Sequence, residues 1–113
     1  KARDWQGLYF GSVAFKYQPT VKDPAESARL AMPFVDVITT SGSGTGSAPE
    51  VEKIRAMKAA IGDHPLAIAS GVTPENVRGY IGLADCLLVA TGIRDSHTEF
   101  NQARVRELVK AIA

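Results

Sequence analysis

The stretch that decides the fold is residues 65–75, which read PLAIASGVTPE. Its first six residues, 65–70, form a short and mostly apolar run of the length that is typical of a strand. Ser70-Gly71-Val72 follows as a small turn, and Thr73-Pro74-Glu75 is typical of a helix start, because threonine caps a helix and proline fits its first turn. The stretch therefore predicts a strand, a tight turn and a helix in immediate succession.

The same order of strand, small turn and helix recurs along the whole chain. The four predicted strands are residues 8–15, 35–40, 65–70 and 84–90. The four predicted helices lie at residues 23–33, 51–61, 73–82 and 101–113. Such alternation with short connections implies a parallel sheet with right-handed crossovers. A full barrel takes about 250 residues and this chain has 113. The predicted fold class is therefore α/β, as the (βα)4 half of a TIM (β/α)8 barrel with outer helices.

The predicted domain organisation has a mechanical consequence. Residues 1–113 are expected to form a single half-barrel domain, the C-terminal half of a longer barrel. A half-barrel leaves two parallel strand edges unpaired and an apolar inner face exposed to water. The predicted partner is therefore either the missing barrel half or a second copy of the chain in a homo-oligomer.

Composition and charge narrow the class of protein. Hydrophobic residues make up 45% and charged residues 22% of the chain, which is ordinary for a soluble globular protein. The formal net charge is +1 and the basic residues are scattered over the predicted helices, so no nucleic-acid partner is expected. No apolar run approaches the roughly 20 residues that span a bilayer. Cys86 is the single cysteine and lies in an apolar run, which fits a buried, reduced thiol and a cytoplasmic location.

Two of the small turns are candidates for phosphate binding. Ser70 and Gly71 follow the third predicted strand, and Thr91 and Gly92 follow the fourth. Turns of small residues let backbone N–H groups approach an anion closely, and a helix N-terminus adds partial positive charge. Many barrels hold phosphate with the loops after strands seven and eight, which these turns are in a C-terminal half. The alternative is that both glycines only make tight turns.

A glycine-rich loop after the second predicted strand is the candidate for contacting the rest of a ligand. It reads TSGSGTG, and its candidate ligand-binding residues are Thr40, Ser41, Gly42, Thr45 and Gly46. Hydroxyl and N–H groups in such a loop can hydrogen-bond a sugar or a ring, although loops of this composition are also simply flexible. The loop lacks the third glycine of a dinucleotide fingerprint and the Lys-Ser/Thr ending of a P-loop.

Lys16 is the candidate catalytic residue, because it follows the first predicted strand, at the end where barrels place their sites. A lysine there can pair with phosphate or act in proton transfer when desolvated, and the alternative is a solvated lysine just beyond a strand. Arg94 and His97 lie in the loop after the fourth strand and are interpreted as solvated, with contact to a ligand as the alternative. Asp36 and Asp85 start strands and are interpreted as structural. The spacing of potential ligands predicts no metal site, and no cofactor is predicted.

Several segments carry a family resemblance. They are residues 36–42 (DVITTSG), 45–46 (TG), 70–77 (SGVTPENV), 84–85 (AD) and 91–92 (TG), with 13–16 (VAFK) upstream. Together they resemble the C-terminal half of the BtpA/SgcQ family. The resemblance implies a TIM barrel related to the ribulose-phosphate-binding barrels. It also implies that one branch of the family is linked to photosystem I assembly and that another lies with sugar-metabolism genes.

Three functions are compatible with these features. The first is a BtpA-like TIM-barrel protein that binds a phosphorylated sugar or nucleotide-like metabolite at the C-terminal ends of its strands. The second is an isomerase or aldolase of the phosphate-barrel type, similar to phosphoribosylanthranilate isomerase, which requires an acid–base pair beyond Lys16. The third is a non-enzymatic photosystem I assembly factor, for which we expect a protein partner and no affinity for small molecules.

Overall fold

The computed structural model describes residues 4–113, and residues 1–3 lie outside the described part. Its strands are β1 (Phe10–Ser12), β2 (Val37–Thr40), β3 (Leu66–Ile68) and β4 (Cys86–Leu87). Its α-helices are α1 (Pro24–Ala31), α2 (Val51–Ile61) and α3 (Gln102–Ile112). Two short 3₁₀ helices occupy Val77–Tyr80 and Thr91–Ile93.

The four strands form one parallel sheet in chain order, β1-β2-β3-β4. Ile38 of β2 pairs with Gly11 of β1 on one side and with Leu66 of β3 on the other. Ile68 of β3 pairs with Leu87 of β4. The predicted α/β class with four parallel strands is confirmed, and the arrangement is compatible with half of a TIM barrel. All four strands therefore present their carboxyl ends, and the loops that follow them, at the same edge of the sheet.

Side-chain caps define where two of the helices begin. Asp23 Oδ1 accepts a hydrogen bond from the Glu26 N–H at 3.1 Å, and Pro24 occupies the first turn of α1. Asn101 Oδ1 accepts from the Arg104 N–H at 2.9 Å at the start of α3. Each such cap contributes about 1 kcal/mol by satisfying an otherwise unpaired donor. The starts of these two helices therefore lie where the sequence predicts them.

The core lies between the sheet and α2. Ile54 and Met57 of this helix are fully buried, and they belong to the same apolar cluster as Ile38, Leu66 and Ile68 of the two central strands. The predicted apolar face of α2 is confirmed by this packing. Because β2 and β3 are held from both sides, the loops that follow them start from fixed positions.

The predicted third helix does not form as an α-helix. Between residues 73 and 82 the structure contains only the four-residue 3₁₀ helix Val77–Tyr80. Asn76 explains the difference, because its Oδ1 accepts from the Thr73 N–H at 2.8 Å and its Nδ2 donates to the Gly71 carbonyl at 2.8 Å. These bonds fix the first residues as a turn, and Gly82, at φ +83°, leaves the right-handed helical region.

The two outer strands are shorter than predicted. The sequence predicts strands over residues 8–15 and 84–90, whereas the ladders include only Phe10–Ser12 and Cys86–Leu87. Within residues 4–113 each of these strands has one sheet neighbour, with which β1 forms three residue pairs and β4 two. Phe10 and Leu88 are 37% and 47% exposed at these edges. The described sheet therefore has two open parallel edges with apolar side chains beside them.

Candidate functional site

The loops after all four strands meet around one pocket of about 200 Å³, here named the loop pocket. Every residue that lines this pocket lies in a segment that follows the carboxyl end of a strand. They are Lys16, Thr45, Gly46, Ala69, Ser70, Gly71, Val72, Leu88, Ala90, Thr91, Gly92 and Arg94. The structure thus brings together seven of the ten predicted site residues, leaving out Thr40, Ser41 and Gly42.

Gly71 and Gly92 allow backbone segments to pass each other closely at this pocket. Gly71 has φ +74°, and a Cβ there would lie 2.1 Å from the Ala48 backbone nitrogen. A Cβ on Gly92 would lie 2.2 Å from the Val72 carbonyl oxygen. Both distances are far below a van der Waals contact, so each position requires glycine. The loops after β2, β3 and β4 can come together only because these side chains are absent.

Backbone donors of the pocket lack partners within the protein. Among residues 4–113, no acceptor is found for the N–H groups of Gly46, Gly71, Thr91 and Gly92. Unpaired donors in turns of small residues form concave sites that suit an anion. The close backbone approaches at Gly71 and Gly92 fit tight turns, and they are also compatible with the predicted phosphate site.

Two cationic side chains add positive charge to the loop pocket. Arg94 is held by hydrogen bonds from its Nη2 to Thr91 Oγ1 at 3.0 Å and from its Nη1 to the His97 carbonyl at 3.2 Å. Lys16 reaches the pocket from the loop after β1, and its Nζ lies 5.6 Å from the centre of the Phe15 ring. No aspartate or glutamate of the described residues lines the pocket. The local charge therefore favours an anionic ligand.

Thr40 and Ser41 support the site from beneath. Both are fully buried, and Thr40 Oγ1 donates to the Ala14 carbonyl at 3.1 Å. Ser41 Oγ accepts from the Lys16 N–H at 2.8 Å and donates to the Gly42 carbonyl at 2.9 Å. Because these hydroxyls already have protein partners, the structure does not present them to a ligand in the loop pocket. Ser41 and Gly42 instead line a neighbouring pocket of about 420 Å³, here named the side pocket.

Ser70 joins the glycine-rich loop to the end of β3. Its buried Oγ donates to the Ser47 carbonyl at 2.7 Å and accepts from the Gly42 N–H at 3.3 Å. The side chain of Ser70 is therefore used within the protein, and its place on the pocket wall follows from its position between two loops. This bond fixes one end of the glycine-rich loop, which composition alone would leave flexible.

The sequence model of the BtpA family matches residues 14–113. This chain belongs to the BtpA family. The matched region includes every residue that lines the loop pocket, from Lys16 to Arg94. A search of curated proteins finds no match to the chain.

Sequence patterns did not indicate two residues near the pockets of this BtpA-family chain, Lys53 and Tyr17. Lys53 on α2 donates from Nζ to the carbonyls of Ala14 and Ser41, each at 2.7 Å, and its partial burial lowers the pKa of its ammonium group. Tyr17 Oη accepts from the Thr45 N–H at 3.2 Å and lies 3.1 Å from Thr45 Oγ1, which lowers the pKa of the phenol. The position of Lys53 between Val51 and Ile54, next to the apolar face of α2, was the signal available in the sequence.

Arg104 fixes the last loop of the site from α3. Its Nε donates to the Gly92 carbonyl at 3.2 Å, and its two terminal nitrogens bind the Glu75 carboxylate at 2.6 and 2.8 Å. The hydrogen bonds from Arg104 lower the pKa of the Glu75 carboxyl group. Through these bonds Arg104 connects the loop after β4, at Gly92, with Glu75 in the segment after β3.

Two further findings concern metal ligands and membrane-spanning helices. Within residues 4–113 no group of three or more His, Cys, Asp or Glu side chains is placed to hold a metal ion. In the same part of the chain, no helix has the length and apolar character that crossing a bilayer requires.

Proposed function

We propose that this BtpA-family chain binds a phosphorylated sugar or nucleotide-like metabolite, with the phosphate in the loop pocket. The observation that supports the proposal is the coincidence of unpaired backbone donors with Lys16 and Arg94 around a volume free of carboxylates. Phosphate offers several acceptor oxygens and negative charge, which match N–H groups and a guanidinium fork together. Gly71 and Gly92 provide the backbone approach, and Thr45 and Gly46 face the remainder of the ligand.

Binding is supported better than isomerisation by the residues of this chain. Acid–base catalysis at a sugar requires a group that accepts a proton and another that donates one. Lys16 is the only titratable side chain of the described residues, apart from the permanently charged Arg94, that lines the loop pocket. An isomerase or aldolase function therefore requires a second group from outside the residues that line the loop pocket.

A titration with inorganic phosphate tests the proposal. We expect the amide resonances of Gly46, Gly71, Thr91 and Gly92 to shift together in ¹⁵N-resolved spectra and to saturate at millimolar phosphate. Ribose 5-phosphate is expected to shift the same amides and to add shifts at Thr45, whereas ribose alone shifts none of them. Sodium chloride at equal ionic strength is the control for screening. Shifts spread over the whole chain, or shifts that do not saturate, contradict the proposal.

The open sheet edges support a second part of the proposal, which concerns the partner. We expect the isolated 113-residue chain to associate with a second copy, because β1 and β4 each have an unpaired edge within the described sheet. Sedimentation equilibrium is expected to give at least twice the 12.0 kDa mass of one chain. The Phe10→Lys variant, which places a charge at the β1 edge, is expected to shift the equilibrium toward the monomer. A monodisperse and stable monomer for the parent chain contradicts this expectation.

A further inference from the structure

Lys53 connects the ends of two neighbouring strands. Its Nζ donates to the Ala14 carbonyl beyond β1 and to the Ser41 carbonyl beyond β2, each at 2.7 Å. The side chain is partly buried, and none of the ion pairs found among residues 4–113 includes it. Partial desolvation of an ammonium group costs free energy, which hydrogen bonds such as these two offset. The two contacts therefore hold the segment after β1 and the segment after β2 together through one side chain.

The segment that Lys53 holds leads directly to Lys16. Ala14 has φ +50°, a conformation that costs a residue with a Cβ about 1 kcal/mol. Its carbonyl also accepts from Thr40 Oγ1 at 3.1 Å. Two residues later, the Lys16 N–H donates to Ser41 Oγ at 2.8 Å. The backbone is thus fixed on both sides of Phe15, in a bend that local preferences alone do not favour.

We propose that Lys53 is a positioning residue that places Lys16 at the loop pocket. This inference rests on the proposed function of that pocket, because Lys16 is the side chain that Lys53 delivers to the phosphate. Lys16 lines both pockets, whereas Lys53 lines only the side pocket. Its ammonium group therefore acts through the bend at Ala14 and does not contact a phosphate in the loop pocket. The residue lies 37 positions after Lys16 in the chain, which makes the coupling a product of tertiary packing.

A double-mutant cycle separates positioning from a direct effect of charge. We expect Lys53→Met and Lys16→Met each to raise the Kd for inorganic phosphate about tenfold. In the Lys16→Met background, Lys53→Met is expected to change the Kd by less than about twofold, since there is no Lys16 side chain left to place. A direct charge effect, or a general loss of folding, instead persists in that background and overturns the proposal. Lys53→Arg retains a donor that reaches both carbonyls and is expected to restore most of the affinity.

Amide exchange tests the same proposal without any ligand. We expect Lys53→Met to speed exchange of the Lys16 amide at least about tenfold, because its bond to Ser41 Oγ loses support. The Leu88 N–H, which donates to the Ile68 carbonyl at 2.9 Å, serves as the reference that should not change. An unchanged Lys16 amide overturns the positioning role whatever the phosphate titration shows. If the parent chain binds no phosphate and Lys53→Met still speeds exchange of the Lys16 amide, the proposed function is rejected while the positioning role is supported.

Discussion

Replacing Gly71 by alanine is expected to destabilise the chain by about 3 kcal/mol and to abolish phosphate binding at the loop pocket. Gly71 has φ +74°, and a Cβ there would meet the Ala48 nitrogen at 2.1 Å and the Ser47 carbonyl carbon at 2.3 Å. These are backbone atoms, so no side-chain rotation removes the overlap. The glycine-rich loop must move, and the 2.7 Å bond from Ser70 Oγ to the Ser47 carbonyl is then lost. Urea unfolding followed by circular dichroism measures the change in the free energy of unfolding.

Gly82→Ala is the matched control for this prediction. Gly82 also has a positive φ, +83°, but a Cβ there has nothing within 4 Å. Its replacement adds backbone strain without overlap, and we expect a loss of only about 1 kcal/mol and unchanged phosphate binding. The difference between the two variants measures the cost of the close approach between loops. Equal losses of stability would show that the overlap at Gly71 is relieved by a small adjustment.

Local signals in the sequence predicted most of the fold. The Asp23-Pro24 start of α1, the apolar spacing of α2 and the Asn101 start of α3 each depend on neighbours within a few residues, and each was found where predicted. The third helix failed because Asn76 bonds across its first turn to Gly71, which competes with the helical backbone bonds. The side chain of Asn76 thus prevents an α-helix in a segment whose first residues favour one.

The candidate site was predicted as a set of loops but not in its internal bonding. Strand-end turns indicate which residues gather at one edge of a parallel sheet, and Lys16, Gly71 and Gly92 do line one pocket there. The roles of Ser41 and Lys53 depend on contacts across 25 and 39 residues of chain. Sequence spacing carries no information on such distances, so the prediction that Ser41 contacts a ligand did not include its role as a buried acceptor for the Lys16 amide.

Replacing Arg94 by glutamine is expected to weaken phosphate binding about 10- to 100-fold, since a hydrogen bond to a charged group contributes about 1.5–3 kcal/mol. Arg94 lines the loop pocket and is oriented by Thr91 Oγ1 at 3.0 Å and by the His97 carbonyl at 3.2 Å. A guanidinium held at two of its nitrogens loses little further freedom when it binds a phosphate oxygen. Isothermal titration with ribose 5-phosphate, at fixed ionic strength, measures the change in Kd.

The comparison variants for Arg94 separate its geometry from its charge. Arg106→Gln removes an equal charge from an exposed position on α3 outside the loop pocket, and we expect it to change the Kd by less than about twofold, because exposed charges are screened by salt. Arg94→Lys retains the charge but loses the planar fork and its bond to Thr91, so an intermediate loss is expected. If lysine restores full affinity, the pocket recognises only charge. If Arg94→Gln binds as the parent chain does, phosphate is held by backbone donors and Lys16 without the guanidinium, which then only links Thr91 and His97 within its loop.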